Sequence, residues 1–264
     1  ELPTEPFGGL EQLCWSPDGK YIAYSCRKLV GKKYAFSTNT EIYIYNVETG
    51  KCSVIDMKGG YDTDPVWSPD GSKIAWVSME RDGYEADKQR LMVASIETVG
   101  GNVVVGTPVD ATADFKYNVS GPVWTEDSKG IYFASLAEGL QGIFEAVEGA
   151  EGWHVRRLTA EDSWYDFGSP FHVVNGEDGE ITLYATWCSM DFPTELVAVK
   201  YSDNGVEYTP VTKENEHILS QLAEHETEAR WLKTVDGKDM LTWVLYPPQF
   251  DSTKVYPGIT ICLG

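Results

Sequence analysis

The stretch Trp67-Ser68-Pro69-Asp70-Gly71, followed by Lys73-Ile74-Ala75-Trp76-Val77, narrows the fold more than any other part of the chain because it is repeated. A near twin lies upstream, Trp15-Ser16-Pro17-Asp18-Gly19 followed by Tyr21-Ile22-Ala23-Tyr24. A looser copy lies downstream, Trp124-Thr125-Glu126-Asp127-Ser128-Lys129-Gly130 followed by Ile131-Tyr132-Phe133. Proline holds φ at about −65° at one turn position and glycine accepts φ > 0 two residues later. Flanked by alternating apolar residues, each unit predicts a β-hairpin.

Each hairpin extends to four short strands. In the first unit Leu13-Cys14-Trp15 leads into the turn, and Tyr21 to Ser25, Glu41 to Tyr45 and Cys52 to Ile55 follow. Pro65 to Trp67, Lys73 to Ser78, Arg90 to Ile96 and Asn102 to Val105 repeat this order, as do Pro122 to Trp124, Ile131 to Ser135, Gly142 to Val147 and Trp153 to Thr159. A degenerate fourth unit has Ser169 to Val174, an Asp178-Gly179 turn, Ile181 to Trp187, Thr194 to Lys200 and Val206 to Val211. The lead aromatics fall at 15, 67, 124 and 171, with spacings of 52, 57 and 47. A four-stranded unit recurring about every 50 residues predicts a β-propeller, since one twisted sheet cannot bury both faces alone and stacks on its neighbours. The expected fold is all-β: a partial β-propeller of four blades (9–58, 59–110, 111–160 and 161–212) from a larger ring. A connector over 213–229, with a helical turn around Ile218 to Leu222, leads to a hairpin closed by Asp236-Gly237. The apolar run Tyr256 to Gly264 reads as a buried strand, so 230–264 is expected to be the start of a truncated α/β-hydrolase domain.

Charge removes whole classes of function. With 21 basic against 41 acidic side chains the net charge is −20, which repels phosphate backbones and anionic membranes and suits a partner carrying cationic groups such as peptide amines. No run of 18 apolar residues occurs, and Glu1 to Pro6 form neither a basic nor an apolar leader segment. The cysteines Cys14, Cys26, Cys52, Cys188 and Cys262 are scattered through strand-like patterns and read as small apolar fillers. His154, His172, His217 and His225 lack ligand spacing, and the acidic turn Asn175 to Glu180 lacks the alternating oxygens of a calcium loop, so no metal or cofactor is expected. Asn118-Val119-Ser120 is a glycosylation sequon by pattern only.

Thr234-Val235-Asp236-Gly237-Lys238-Asp239-Met240-Leu241-Thr242-Trp243-Val244-Leu245-Tyr246-Pro247-Pro248-Gln249-Phe250-Asp251, then Tyr256-Pro257-Gly258-Ile259-Thr260-Ile261-Cys262-Leu263-Gly264, add specificity to the blade motif. Together they resemble the prolyl oligopeptidase family of serine peptidases, above all its bacterial dipeptidyl-peptidase and acylaminoacyl-peptidase branch, where Met79 to Lys88 also has a counterpart. The resemblance covers nearly the whole chain. It implies a propeller that filters oligopeptides toward a Ser-Asp-His triad on an α/β-hydrolase domain, with the nucleophile on a Gly-x-Ser-x-Gly elbow. No such motif occurs here, and the sequence stops where the family's Gly-rich oxyanion loop is expected. No catalytic residue carries over, and this stretch is expected to be inactive alone. Periplasmic, secreted and cytoplasmic settings all fit the resemblance.

One propeller face is expected to collect Tyr61 to Asp64, Phe115 to Tyr117, Ser163 to Asp166, the insertion Arg27 to Asn39 and the loop Glu80 to Lys88. Aromatics beside carboxylates suit a peptide's ammonium group. Dipeptidyl peptidases hold that ammonium with propeller carboxylates, so the resemblance nominates Glu80 and Glu85, with Asp87 next, as substrate-binding anchors. The bland alternative is solvated loop charges pairing with Arg81 and Lys88. For the whole chain, the rival is a non-enzymatic periplasmic β-propeller scaffold, which uses similar blades. The open edges of an incomplete ring also predict self-association.

Overall fold

The structure, a computed structural model, describes residues 12–100, 102–161, 164–169, 171–176, 180–202 and 205–261. One hydroxyl organises each of the repeated turns. Ser16 Oγ donates to Asp18 Oδ1 (2.7 Å) and accepts from Tyr21 N (2.9 Å). Ser68 does the same with Asp70 Oδ1 (2.7 Å) and Lys73 N (2.9 Å), and Thr125 with Asp127 Oδ1 (2.7 Å) and Gly130 N (2.8 Å). The turn is thereby closed by a local side chain that satisfies both the acid and a strand amide. Gly19 and Gly71 take φ of 69° and 72°, but the third turn places Ser128 at 60°.

That exception has a cause. Ser128 is buried, and its Oγ accepts the Asp70 N–H of the preceding turn at 3.2 Å. A contact between sheets thus offsets an unfavourable backbone angle. Ser128→Ala, which keeps the angle and loses the acceptor, is expected to lower unfolding free energy by about 1–2 kcal/mol in urea titration. A neutral result would mean that the bond contributes nothing.

The strands these turns join form four antiparallel sheets. The first contains β1 (Leu13–Trp15), β2 (Tyr21–Cys26), β3 (Glu41–Asn46) and β4 (Cys52–Ile55) in that order, with the short helix α1 (Lys32–Phe36) between β2 and β3. The second has β5 (Tyr61–Trp67), β6 (Lys73–Met79), β7 (Arg90–Val99) and β8 (Asn102–Val105), and β9 (Val109–Asp110) also pairs with β7. The third has β10 (Ser120–Trp124), β11 (Gly130–Ala137), β12 (Leu140–Gly149) and β13 (Gly152–Arg157). In the fourth, the lead strand predicted over Ser169 to Val174 is split into β14 (Asp166–Phe167) and β15 (His172–Asn175). Both pair with β16 (Ile181–Cys188), and β17 (Glu195–Ser202) and β18 (Gly205–Pro210) complete the sheet. At the split, Gly168 donates to Thr186 O at 2.7 Å, so close that a Cβ there would lie 1.9 Å from Thr186 Oγ1. Pro170 and the Asp178-Gly179 turn lie outside the described residues.

Period-two alternation decides what each sheet buries. Ile74 and Trp76 face Tyr21, Ala23, Ile42 and Ile44 of the first sheet. Their neighbours Ala75 and Val77 face the other way, onto Trp124, Ile131 and Phe133 of the third. Tyr132, Ala134 and Ile143 then meet Phe167, Leu183, Trp187 and Val197 of the fourth. Lead strands also lie against the preceding sheet: Trp124 Nε1–H donates to Val66 O at 3.1 Å, and Thr40 bridges Tyr61 in parallel. This is a four-sheet arc of a β-propeller. Leu13, Trp15, Tyr24, Tyr43, Tyr45 and Val54 share the other face of the first sheet, where no described sheet covers them and Trp15 is 57% exposed.

Past the short helix α2 (Glu216–Leu219), β19 (Thr227–Lys233) and β20 (Asp239–Leu245) form a separate hairpin. Its Thr234-Val235-Asp236-Gly237-Lys238 turn repeats the hydroxyl device, with Lys238 N donating to Thr234 Oγ1 at 3.0 Å. The hairpin docks where Glu138 and Gly139 turn at φ of 54° and 83°. A Cβ on Gly139 would fall 2.5 Å from Leu241 Cδ2, so glycine meets both the angle and the approach. The run 256–261 pairs with no strand among the described residues, and Ile259 is 91% exposed. An apolar strand of this type needs neighbours on both edges. Cys262 and Gly264 lie outside the described residues.

Candidate peptide-binding rim

The insertion 27–40 and the loop 80–90 both leave the outer ends of second strands, and they are tied together. Asp82 accepts Ser37 Oγ–H at 2.6 Å and Thr38 N–H at 2.7 Å, while Gly83 N donates to Thr38 Oγ1 at 2.9 Å. Burial works against the Asp82 charge, but the Ser37 hydroxyl and the Thr38 amide hold its carboxyl below the ordinary value. Two side chains brace the rim by stacking: the Arg27 guanidinium lies 3.7 Å over the Tyr34 ring and that of Arg81 4.0 Å over Tyr84. Ser37, Thr38 and Asp82 were not legible as partners in the sequence, since about 45 residues separate them. The helix α1, which buries no residue, was not signalled either.

The three nominated carboxylates sit on one loop in three different states. Asp87 is clasped by Arg81 through Nη2–Oδ1 (2.8 Å) and Nε–Oδ2 (3.2 Å), and it accepts the Arg81 amide at 2.9 Å. Chiefly through those Arg81 hydrogen bonds, its carboxyl is held far below the ordinary range. Glu80 reaches Arg90 at 3.4 Å with 74% of its side chain exposed. Glu85 is exposed and has no hydrogen bond or ion pair among the described residues. Lys88 does not reach these acids with its ammonium, which donates to Thr112 O at 2.8 Å. The bland alternative thus fits Asp87 and leaves Glu85 available.

Several rim aromatics expected to be exposed turn inward. Phe115 stands edge-on to Phe133 (5.5 Å) and Phe144 (5.1 Å), and Tyr165 lies 4.4 Å from Trp187. Both cap the gap between consecutive sheets, where apolar burial outweighs display at the surface. Tyr84 and Trp164 stay exposed, and Ser163 lies outside the described residues. Asp62, expected on the open face, is fully buried beneath it. Trp76 Nε1–H donates to Asp62 Oδ1 at 3.0 Å, and the Asp62 carbonyl accepts the hydroxyls of Ser25 (2.6 Å) and Thr40 (2.8 Å). Among the described residues no group of three His, Cys, Asp or Glu side chains could hold a metal ion, and no helix is long and apolar enough to cross a membrane.

No protein-family model matches the chain. Over 265 residues it is 40% identical to dipeptidyl-peptidase 5 of Porphyromonas gingivalis and 38% identical to dipeptidyl-peptidase 5 of Porphyromonas endodontalis, in both cases across 100% of this chain. The chain is thus similar along its whole length to dipeptidyl-peptidase 5. It spans 36% of the length of these two curated relatives. Among solved structures, a similar fold is seen in oligopeptidase B from Trypanosoma brucei, with a TM-score of 0.54 at 14% identity over 93% of this chain and 33% of that one. At that identity the likeness concerns architecture alone.

Proposed function

We propose that this chain is the non-catalytic propeller portion of a serine exopeptidase of dipeptidyl- or acylaminoacyl-peptidase type, which gates oligopeptides and anchors them by the N-terminus. The observation that carries the proposal is the match of this whole chain to about a third of two dipeptidyl-peptidase 5 sequences, together with a propeller rim that offers an uncommitted carboxylate. In this reading 1–212 is the propeller part, 213–229 the connector and 230–264 the start of an α/β-hydrolase domain, with β19 straddling that last boundary. The chain contains no Gly-x-Ser-x-Gly, so in this reading the triad belongs to another part of the enzyme and the chain by itself is expected to be without peptidase activity. The uncovered face of the first sheet offers the surface for the self-association expected from the sequence. No observation favours the non-enzymatic scaffold over the peptidase.

Glu85 is the preferred ammonium anchor, Glu80 is held only through a long contact to Arg90, and Asp87 shapes the loop through Arg81. A charge-assisted hydrogen bond to an ammonium is worth about 1.5–3 kcal/mol. Glu85→Gln in the intact enzyme is therefore expected to raise KM for a dipeptidyl-amide substrate with a free amine about tenfold or more, with kcat nearly unchanged and no effect on an N-acetylated substrate. Equal KM values for variant and parent on the free-amine substrate would rule Glu85 out.

A further inference from the structure

A cleft of about 430 Å³ opens between the β11–β12 end of the third sheet and the β19–β20 hairpin. Its walls are aromatic: Tyr117, Phe144, Trp164, Trp231 and Trp243. Trp164 meets Trp243 edge-on at 5.5 Å, and the close seat of Leu241 on Gly139 fixes the hairpin that carries Trp231 and Trp243. Trp231 remains 55% exposed. Aromatic walls converging on one cleft suit a ligand with an apolar, flat group.

The polar group in the cleft sets the sign of that ligand. Arg157 lies over Gly142, where a Cβ would come within 3.1 Å of Nη2, and beside Phe144 at 5.5 Å from the ring centroid. Its Nε–H reaches only Thr159 Oγ1, at 3.4 Å. Arg81, Arg90, Arg156 and Arg230 each hold a carboxylate, whereas Arg157 has none in ion-pair reach among the described residues. In a chain with 41 acidic against 21 basic side chains, that leaves a guanidinium with its fork unused. Two acids also line the cleft. Glu138 is engaged by Lys116 (3.7 Å) and by the Tyr117 hydroxyl (3.1 Å), while Glu161 is exposed and has no partner among the described residues.

We propose that this cleft is a second peptide-binding site, built without the carboxylates of the 80–88 loop, which takes a free carboxylate on Arg157 and stacks the adjoining aromatic side chain among Trp164, Trp231 and Trp243. A bidentate guanidinium–carboxylate pair, sheltered by aromatic walls, supplies both affinity and orientation. The assignment does not rest on the peptidase reading, because it needs neither the triad nor the carboxylates of the 80–88 loop.

Isothermal titration calorimetry on the intact protein tests it with N-acetyl-tryptophan, N-acetyl-tryptophan amide and tryptamine. Acetylation removes the ammonium that Glu161 would attract, so the acid and the amide differ only at the group facing Arg157. The acid is expected to bind about tenfold or more tighter than the amide. Arg157→Gln should abolish that preference while leaving the amide affinity as in the parent, which also reports an intact cleft. Trp243→Leu should weaken both. Equal binding of acid and amide, a preference that survives Arg157→Gln, tighter binding of tryptamine than of the acid, or no binding of either acid or amide at about millimolar concentration would each overturn the assignment.

Discussion

Replacing Gly60 by alanine is expected to destabilise the protein by about 3–5 kcal/mol and to disturb the candidate rim along with the fold. Gly60 enters β5 at φ of 102°, where an L side chain is strained whatever the space around it. Space is also lacking. A Cβ there would lie 2.2 Å from Met79 O and 3.1 Å from Glu80 O, and both are backbone atoms that no rotamer change can move aside. The neighbour Gly59 separates the two contributions, since its φ is 120° but nothing lies within 4 Å of a Cβ. Gly59→Ala should therefore show the backbone cost alone, about 1–3 kcal/mol. Because Met79 and Glu80 begin the loop that carries Glu85, displacing them should also raise KM for free-amine substrates in the intact enzyme. Urea titration of the two variants decides the matter: a Gly60→Ala no less stable than Gly59→Ala would mean that the close approach contributes nothing.

The same contrast between local and distant contacts explains which parts of this molecule were legible in its sequence. The repeated turns could be read because their chemistry spans five residues or fewer, as with Ser68, Asp70 and Lys73. The sheets could be read because alternation along Glu41–Asn46, and an unbroken apolar run within Lys73–Met79, report burial directly. What escaped depends on separation. Leu241 chooses its seat against Gly139, Asp82 finds Ser37, and Phe115 turns toward Phe133 only after the sheets are stacked. The break between β14 and β15 and the added strand β9 belong to the same class, since each is fixed by a partner strand that the local pattern does not name. For the candidate rim, the sequence put Glu80, Glu85 and Asp87 on one loop. It put Asp87 behind the other two but could not choose between Glu80 and Glu85, because that choice turns on Arg90 folding back onto Glu80.

Asp62 should make the stability of this protein depend on pH in a direction opposite to that of its other perturbed acids. Burial pushes its carboxyl from the ordinary value up to about 7, against the opposing pull of Ser78, the Trp76 N–H and Arg90, while Glu41 adds to the rise. In the unfolded chain such a group titrates near pH 3.9. The folded state therefore binds the proton more tightly. The stabilisation is present in full below about pH 4, falls as pH rises, and is gone above about pH 7. Between pH 5 and pH 8 the linkage relation gives a loss of about 2–3 kcal/mol. Asp70, Asp82 and Asp87 are all shifted downward, so their contributions change only below the ordinary carboxylate range, outside this window. Asp62→Asn, which carries no charge at either pH, should remove the slope between pH 5 and pH 8 even if the amide lowers stability overall. The parent should also show faster hydrogen exchange at the Asp62 amide, which donates to Thr40, at pH 8 than intrinsic chemistry accounts for. That amide joins the first two sheets directly beneath the 27–40 insertion and the 80–90 loop, so an ionised Asp62 would loosen the floor on which the rim stands. If Asp62→Asn and the parent lose the same stability between the two pH values, the carboxyl is not the group responsible.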